Sequence, residues 1–276
     1  MVLLIVDLDG VVYRGLTPVP GMPELLAKRA AAGDIIAYAT NNSRWHRADY
    51  EERLAAMGAP VHADRIVTAA RATALALAER PDPSGPVMVF GGPGLWREVR
   101  DVGLATVGPT EEGLAAAPGS LVVGIDVDLS YERLSIAADA IRGGSLFVAT
   151  NRDPVYPVDG RLLAGAGSIV SALATAGGRE PDLVIGKPEP GLFSQAAHAV
   201  GATPDTAIVI GDGLRTDILA AHRVGARSVL MLTGVTTRAE VEAAAPEERP
   251  TAIAADAREL EKILGELARR PHRSAD

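Results

Sequence analysis

Asp7 and Asp9 stand two residues apart, directly after the apolar run Val2-Leu3-Leu4-Ile5-Val6 and just before Gly10. In an extended chain that spacing aims both carboxylates to one side. The apolar run is short and rich in branched residues, which reads as a strand buried on both faces. Acids at the C-terminal end of such a strand lie where open α/β sheets hold their ligands. Three more predicted strand ends carry polar residues suited to phosphate. They are Thr40-Asn41-Asn42-Ser43, Gly186-Lys187-Pro188 and Gly211-Asp212-Gly213-Leu214-Arg215-Thr216-Asp217. Parallel, adjacent strands would bring all four sets to one sheet edge.

Phosphoryl transfer asks for this set of parts. Asp7 can attack phosphorus as a carboxylate nucleophile. Asp9 can give a proton to the leaving oxygen and later take one from water. Asp7, the Asp9 carbonyl and Asp212 offer the hard oxygen ligands that Mg²⁺ prefers. The Thr40 hydroxyl, Asn41, Asn42 and the N–H groups at the start of the following helix can hold phosphate oxygens. Lys187 can neutralise the nucleophile and the phosphoryl oxygens together. Asp217 can orient Lys187 or the metal's water from behind.

Each part also has a plainer reading. Ser43 can be a helix N-cap. Lys187 can be a solvated loop lysine, Asp212 a turn residue in Asp-Gly, and Asp217 an acid facing a helix dipole. The conjunction of four sets in one chain order is what the plainer readings fail to explain.

The elements that must position these residues alternate. Strands are expected over 2–6, 35–39, 87–90, 121–125, 146–149, 183–185, 207–210 and 228–232. Helices are expected over 23–32, 44–57, 69–79, 131–141, 168–176, 192–200 and 216–224, most followed by a glycine stop such as Gly33, Gly143, Gly177 or Gly225. This alternation predicts an α/β fold with parallel sheets covered by helices. Pro81-Asp82-Pro83-Ser84-Gly85-Pro86 reads as a linker, and Gly177-Gly178-Arg179-Glu180-Pro181 as a second. They divide the chain into a catalytic part, 1–80 with 182–276, and an inserted part, 81–181. The insertion is about 100 residues, an ordinary domain size.

Composition narrows the partners. A hydrophobic content of 47% supplies a core, and a net charge of −8 leaves no basic footprint for nucleic acid. The absence of cysteine removes disulfides, thiolate metal sites and cysteine nucleophiles. No apolar run approaches a membrane span, and the first residues lack the pattern of a signal peptide, so a cytoplasmic location is expected. Residues 271–276 read as a frayed tail.

The four sets together resemble the motifs of the haloacid dehalogenase superfamily, in its phosphatase branch. Asp7-Leu-Asp9-Gly-Val-Val-Tyr is similar to the first motif. Thr40-Asn-Asn-Ser, Gly-Lys187-Pro and Gly-Asp212-Gly-Leu-Arg-Thr-Asp217 are similar to the other three. The resemblance covers nearly the whole chain and is closest to the NagD-like and phosphoglycolate/4-nitrophenyl phosphatase subfamily. That subfamily inserts its cap domain between the second and third motifs. Thr150-Asn151-Arg152-Asp153, Ala164-Gly165-Ala166-Gly167 and Leu232-Thr233-Gly234-Val235 are further matches.

The resemblance implies a Rossmann-like core carrying an α/β cap, an aspartyl-phosphate intermediate and Mg²⁺ dependence. It also implies a mobile turn after Gly10, and it makes a homodimer through the cap an expectation. Relatives with dehalogenase activity usually lack the second aspartate, so Asp9 favours hydrolysis of a phosphate ester, with a small phosphorylated metabolite as the substrate. Arg215 stands where some relatives carry an acid. A phosphometabolite-binding module without catalysis, and a phosphotransferase using another acceptor, remain the alternatives.

Other features are open or plain. Asn151, Arg152 and Asp153, at a predicted strand end of the insertion, can face substrate or form a turn. Trp45 and His46 can touch substrate or pack. Gly91-Gly92-Pro93-Gly94 reads as a turn, because it lacks the spacing of a nucleotide loop. The five histidines show no pair at metal-ligand spacing, and 240–248 reads as a solvated helix and loop.

Overall fold

The structure, a computed structural model, describes residues 1–80, 84–158 and 161–269. The core of the first predicted linker, at 81–83, and the predicted tail at 271–276 lie outside the described residues. The chain forms two compact units: 1–40 with 50–67 and 187–276, and 41–49 with 68–186.

Each unit is built on an open sheet, and the α/β class expected from the alternation holds in both. In the first, six strands run in the order Ala252–Ala254, Arg227–Met231, Ile208–Gly211, Leu3–Val6, Ile35–Thr40, Ile66–Thr68. Leu3–Val6 is buried throughout and pairs in parallel with Ile208–Gly211 on one side and Ile35–Thr40 on the other. Such a strand meets water on neither face, which is why it reads as an unbroken apolar run. The register aligns Val6 with Ile210 and with Tyr38. The residues that follow, Asp7, Gly211-Asp212 and Ala39-Thr40, therefore reach the C-terminal edge of the sheet at one level. The Asp7 N–H donates to Ile210 O at 2.8 Å, extending the ladder one step past the strand, to Asp7 itself. Leu4, Val6, Ile208, Ile210 and Tyr38 form the core with Leu260 and Leu264 of the helix Ala257–Leu267.

The second unit has five strands in the order Leu183–Val184, Leu146–Ala149, Ser120–Val123, Val87–Phe90, Thr106–Val107, all paired in parallel. Its separate core joins Met88, Phe90, Leu121, Phe147, Ile169 and Leu173. The helix Ala69–Ala78 groups with this unit, packed on the helix Pro93–Asp101, so the contact boundary falls ahead of the 81–83 linker.

Local differences from the expected elements have local causes. The helix expected from 44 begins at Arg47. Gly91-Gly92-Pro93-Gly94 is a helix start, with Gly92 at the N-cap and Pro93 in the first turn, where a missing N–H costs nothing. One expected glycine stop falls one residue early: Gly178, at φ 77°, closes the helix that Gly177 still belongs to. Gly143 follows its helix as expected, and Gly144, at φ 96°, supplies the left-handed residue after it. The helix expected over 216–224 opens with a wide turn, Leu214–Ile218, in which the Ile218 N–H reaches back to Gly213 O at 3.1 Å.

Candidate active site

The first unit gathers Asp7, Thr40, Lys187, Asp212 and Asp217, all buried, at the C-terminal edge of its sheet. Lys187 Nζ donates to Asp7 Oδ1 and to Asp217 Oδ1, each at 2.7 Å, and to Ala39 O at 3.3 Å. Burial works against a charged lysine, but Asp217 and Asp7 outweigh it and hold Lys187 protonated, well above the ordinary lysine value.

Asp217 reaches this position through the wide turn. Its Oδ2 accepts from the Gly213 N–H at 3.1 Å and from Thr216 Oγ1 at 3.3 Å. A Cβ on Gly211 would collide with the Asp217 side chain, so the strand end must be glycine. Wide turns of this type recur at functional sites.

Asp212 is gripped from the other side. Its Oδ2 accepts from the Val235 N–H at 2.8 Å. A Cβ on either Gly10 or Gly234 would overlap that oxygen. Thr233 Oγ1 donates to Gly10 O at 2.7 Å, tying the turn after Asp9 to the loop after the strand Arg227–Met231. The sequence marks Leu232-Thr233-Gly234-Val235 as a match without giving it a task, and the structure supplies one: seating Asp212.

The electrostatics describe a site short of positive charge. Burial, with Asp217 beside it, pushes the Asp212 carboxyl up to about 7. Burial also drives Asp7 well above the carboxylate range, against the pull of Lys187 and with the push of Asp217 and Asp212. Burial raises Asp9 as well, opposed by Arg53 and Lys187. Arg53 stacks on the rings of Tyr13 and Tyr50, which no sequence pattern announced.

One carboxylate oxygen each from Asp7, Asp212 and Asp217 lies within 4.8 Å of the others. Three buried acids around one lysine, offering only hard oxygens, fit a small divalent cation such as Mg²⁺. Asp217 already accepts hydrogen bonds at both oxygens, which fits it to hold Lys187.

Asn41 and Asn42 fall in the second unit. Asn41 Nδ2 donates to Asp153 Oδ2 at 2.9 Å, and Asn151 Nδ2 donates to Asn41 O at 2.6 Å. Asn42 Oδ1 accepts from the Arg44 N–H at 2.8 Å. Of the three positions singled out in the insertion, Asn151 and Asp153 thus meet Asn41, whereas Arg152 pairs with Glu180 on the surface at 2.6 Å. Ser43 is not an N-cap; its Oγ accepts from the Ile125 N–H at 3.1 Å. Because the helix starts at Arg47, its first-turn N–H groups do not follow Thr40 directly. His46 is buried and bonded within its own unit, while Trp45 is half-exposed under the Arg44 guanidinium.

Comparison with known proteins agrees with this geometry. The model of the haloacid dehalogenase-like hydrolases matches residues 4–105, and a second, described as HAD-hydrolase-like, matches 184–260. Chronophin from Bos taurus is 39% identical, over 86% of this chain and 83% of the relative. The D-glycerol 3-phosphate phosphatase of Mycobacterium tuberculosis is 36% identical, over 97% of this chain and 73% of the relative. The crystal structure of glycerol phosphate phosphatase from Mycobacterium tuberculosis in complex with magnesium superposes with a TM-score of 0.85 at 35% identity, covering 94% of this chain and 77% of that one.

The chain belongs to the haloacid dehalogenase-like hydrolases, in their NagD-like group. Within that family it is a phosphatase, a phosphoric monoester hydrolase that uses Mg²⁺. Neither a silent binding module nor a phosphotransferase draws support from these relatives.

Proposed function

We propose that Asp7 attacks the phosphorus of a small phosphorylated metabolite and that Asp9 is the acid and base of the two half-reactions. The observation that carries this reading is the buried set of Asp7, Asp212 and Asp217 around Lys187. A bond forms from an Asp7 oxygen to phosphorus as the ester bond breaks, and Asp9 protonates the departing alkoxide. Asp9 then takes a proton from water, which attacks the acyl phosphate and frees Asp7 and inorganic phosphate. Burial raises the Asp9 carboxyl, the direction that favours its holding the proton it must donate. Lys187 and the Thr40 segment hold the phosphoryl oxygens, and Asn41 and Asn42 extend that segment along the chain. Asp7, the Asp9 carbonyl and Asp212 would hold Mg²⁺, which would supply the second positive charge that the acids lack.

The acid–lysine cluster contains nothing that would read the organic part of an ester. Choice of leaving group is therefore assigned to the inserted part, 81–181, the cap in this reading. The chemistry named by the relatives, glycerol phosphate, makes small polyol phosphates the first compounds to try. Purified protein is expected to release phosphate from 4-nitrophenyl phosphate with Mg²⁺ and to stop with EDTA. No turnover across sugar phosphates, phosphoglycolate, glycerol phosphate, pyridoxal phosphate and nucleotides would sink the reading. A cytoplasmic homodimer belongs to the same reading. Exposed Leu162 and Val155 on the hairpin of the second unit support the dimer, and a monomer mass by light scattering would remove it.

A further inference from the structure

Glu98 has no solvent exposure, yet it lies in none of the four motifs. A carboxylate that dry persists only when it is paired and hydrogen-bonded. All but one of its partners, Arg71, belong to the segment that follows Thr40-Asn41-Asn42. Oε1 accepts from the Arg47 N–H at 3.0 Å and lies 3.4 Å from His46 Nε2. Oε2 binds the Arg47 guanidinium and lies 3.7 Å from that of Arg71. One helical turn on, Asp101 Oδ2 meets His46 Nε2 at 3.0 Å and Arg47 at 3.1 Å. One turn back, the Gly94 N–H donates to Arg44 O at 3.1 Å, and a Cβ there would collide with the backbone of Trp45.

Positions 94, 98 and 101 share one face of the helix Pro93–Asp101. That face therefore grips the backbone from 44 to 47. Ser43 is held from elsewhere by Ile125 N–H. His46 Nδ1 accepts from the Ala48 N–H at 3.2 Å, which places the ring proton on Nε2, toward the two acids. The trio His46, Glu98 and Asp101 has the spacing of a metal site, but Arg47 and Arg71 already supply its positive charge.

We infer that Glu98 is a positioning residue for the phosphatase reaction: by fixing Arg47 and His46 it sets the course of the chain that carries the phosphate-binding segment. The inference rests on the reading of Thr40 to Asn42 as that segment. Phosphate contacts are lost by shifts well below the length of a side chain, so an anchor just behind the segment affects binding rather than the chemical groups themselves.

The test uses the Mg²⁺-loaded full chain and inorganic phosphate as a competitive inhibitor of 4-nitrophenyl phosphate hydrolysis. Glu98→Gln keeps an acceptor for the Arg47 N–H but loses the charge, whereas Glu98→Leu loses both. The phosphate inhibition constant and KM are expected to rise together, modestly in Glu98→Gln and by about tenfold in Glu98→Leu, with a smaller fall in kcat. Leu173→Ala lies in the core of the same unit, in a cluster that shares no residue with this grip. It should lower Tm yet leave phosphate inhibition within about twofold, as expected for an independent site.

Unchanged phosphate inhibition in the Glu98 variants overturns the inference, and so does an equal loss in Leu173→Ala. If Glu98→Leu does not fold, Glu98→Gln decides alone, and wild-type phosphate inhibition in it overturns the inference. Thr40→Ala run alongside separates the two readings. If it leaves phosphate inhibition untouched, the segment was misassigned. If it weakens phosphate while the Glu98 variants do not, the grip is irrelevant to binding.

Discussion

Lys187 Nζ holds two buried carboxylates at 2.7 Å while a third, Asp212, lies close by. That imbalance makes the metal-free protein sensitive to pH in a defined direction. The Asp212 carboxyl, raised by burial and by Asp217 to about 7, is protonated in the folded state at pH values where the unfolded chain would ionise it. A raised acid stabilises the fold at low pH, and the contribution fades as pH climbs from the ordinary carboxylate range through about 7. With EDTA present, Tm should therefore fall between pH 5 and pH 8, beyond any drift in an Asp212→Asn variant. Mg²⁺ should raise Tm more at pH 8 than at pH 5, because the ion binds the ionised carboxylates. A flat Tm in EDTA over that span would contradict the account. Asp7→Asn is expected to abolish turnover, since an amide is a poor nucleophile, and Asp9→Asn to slow it by about a hundredfold through loss of proton transfer. Steady-state rates with 4-nitrophenyl phosphate check both, and a fully active Asp9→Asn would remove Asp9 from its role.

At the scale of elements, the site is a set of strand ends trimmed by glycine. Gly10 and Gly234 lie against Asp212 Oδ2 so closely that neither can carry a Cβ. Gly234→Ala should thus displace the Asp212 carboxylate and raise the Mg²⁺ concentration for half-maximal activity by about tenfold, the scale seen when a metal ligand's support is lost. A titration of rate against Mg²⁺ measures it, and an unchanged midpoint would mean that Asp212 does not depend on this loop. The strands bearing Asp7, Thr40 and Asp212 are legible in the sequence because each is an apolar run that ends abruptly in polar residues. The start of the helix Arg47–Ala56 is not, because Ser43 has the chemistry of an N-cap but binds Ile125, far along the chain. The two-residue strands Tyr13–Arg14 and Thr17–Pro18 are too short to show a period. Glu98 escapes notice for a similar reason: a charged residue in a polar helical stretch reads as exposed, and only its long-range partners Arg47 and Arg71 explain its burial.

For the molecule as a whole, two large sheets with separate cores imply two regions whose stability can respond differently to a ligand. The residues assigned to Mg²⁺, namely Asp7, Asp9 and Asp212, all belong to the first unit. A ligand stabilises what it binds by RT ln(1 + [L]/Kd), which at a hundredfold excess over Kd is about 2.7 kcal/mol. That increment should enter the openings that expose Leu3–Val6, Ile35–Thr40 and Ile208–Gly211, because those openings break the ligand set. Openings confined to Val87–Phe90, Ser120–Val123 and Leu146–Ala149 leave the ligands in place and should gain little. Amide hydrogen exchange with saturating Mg²⁺ against EDTA distinguishes the cases. Protection should rise by up to about a hundredfold in the strands of the first unit, the rate equivalent of that free energy, and change far less in the strands of the second. An equal rise in both would mean that the two cores open only together. A rise confined to the second would displace the ion from Asp7 and Asp212 altogether.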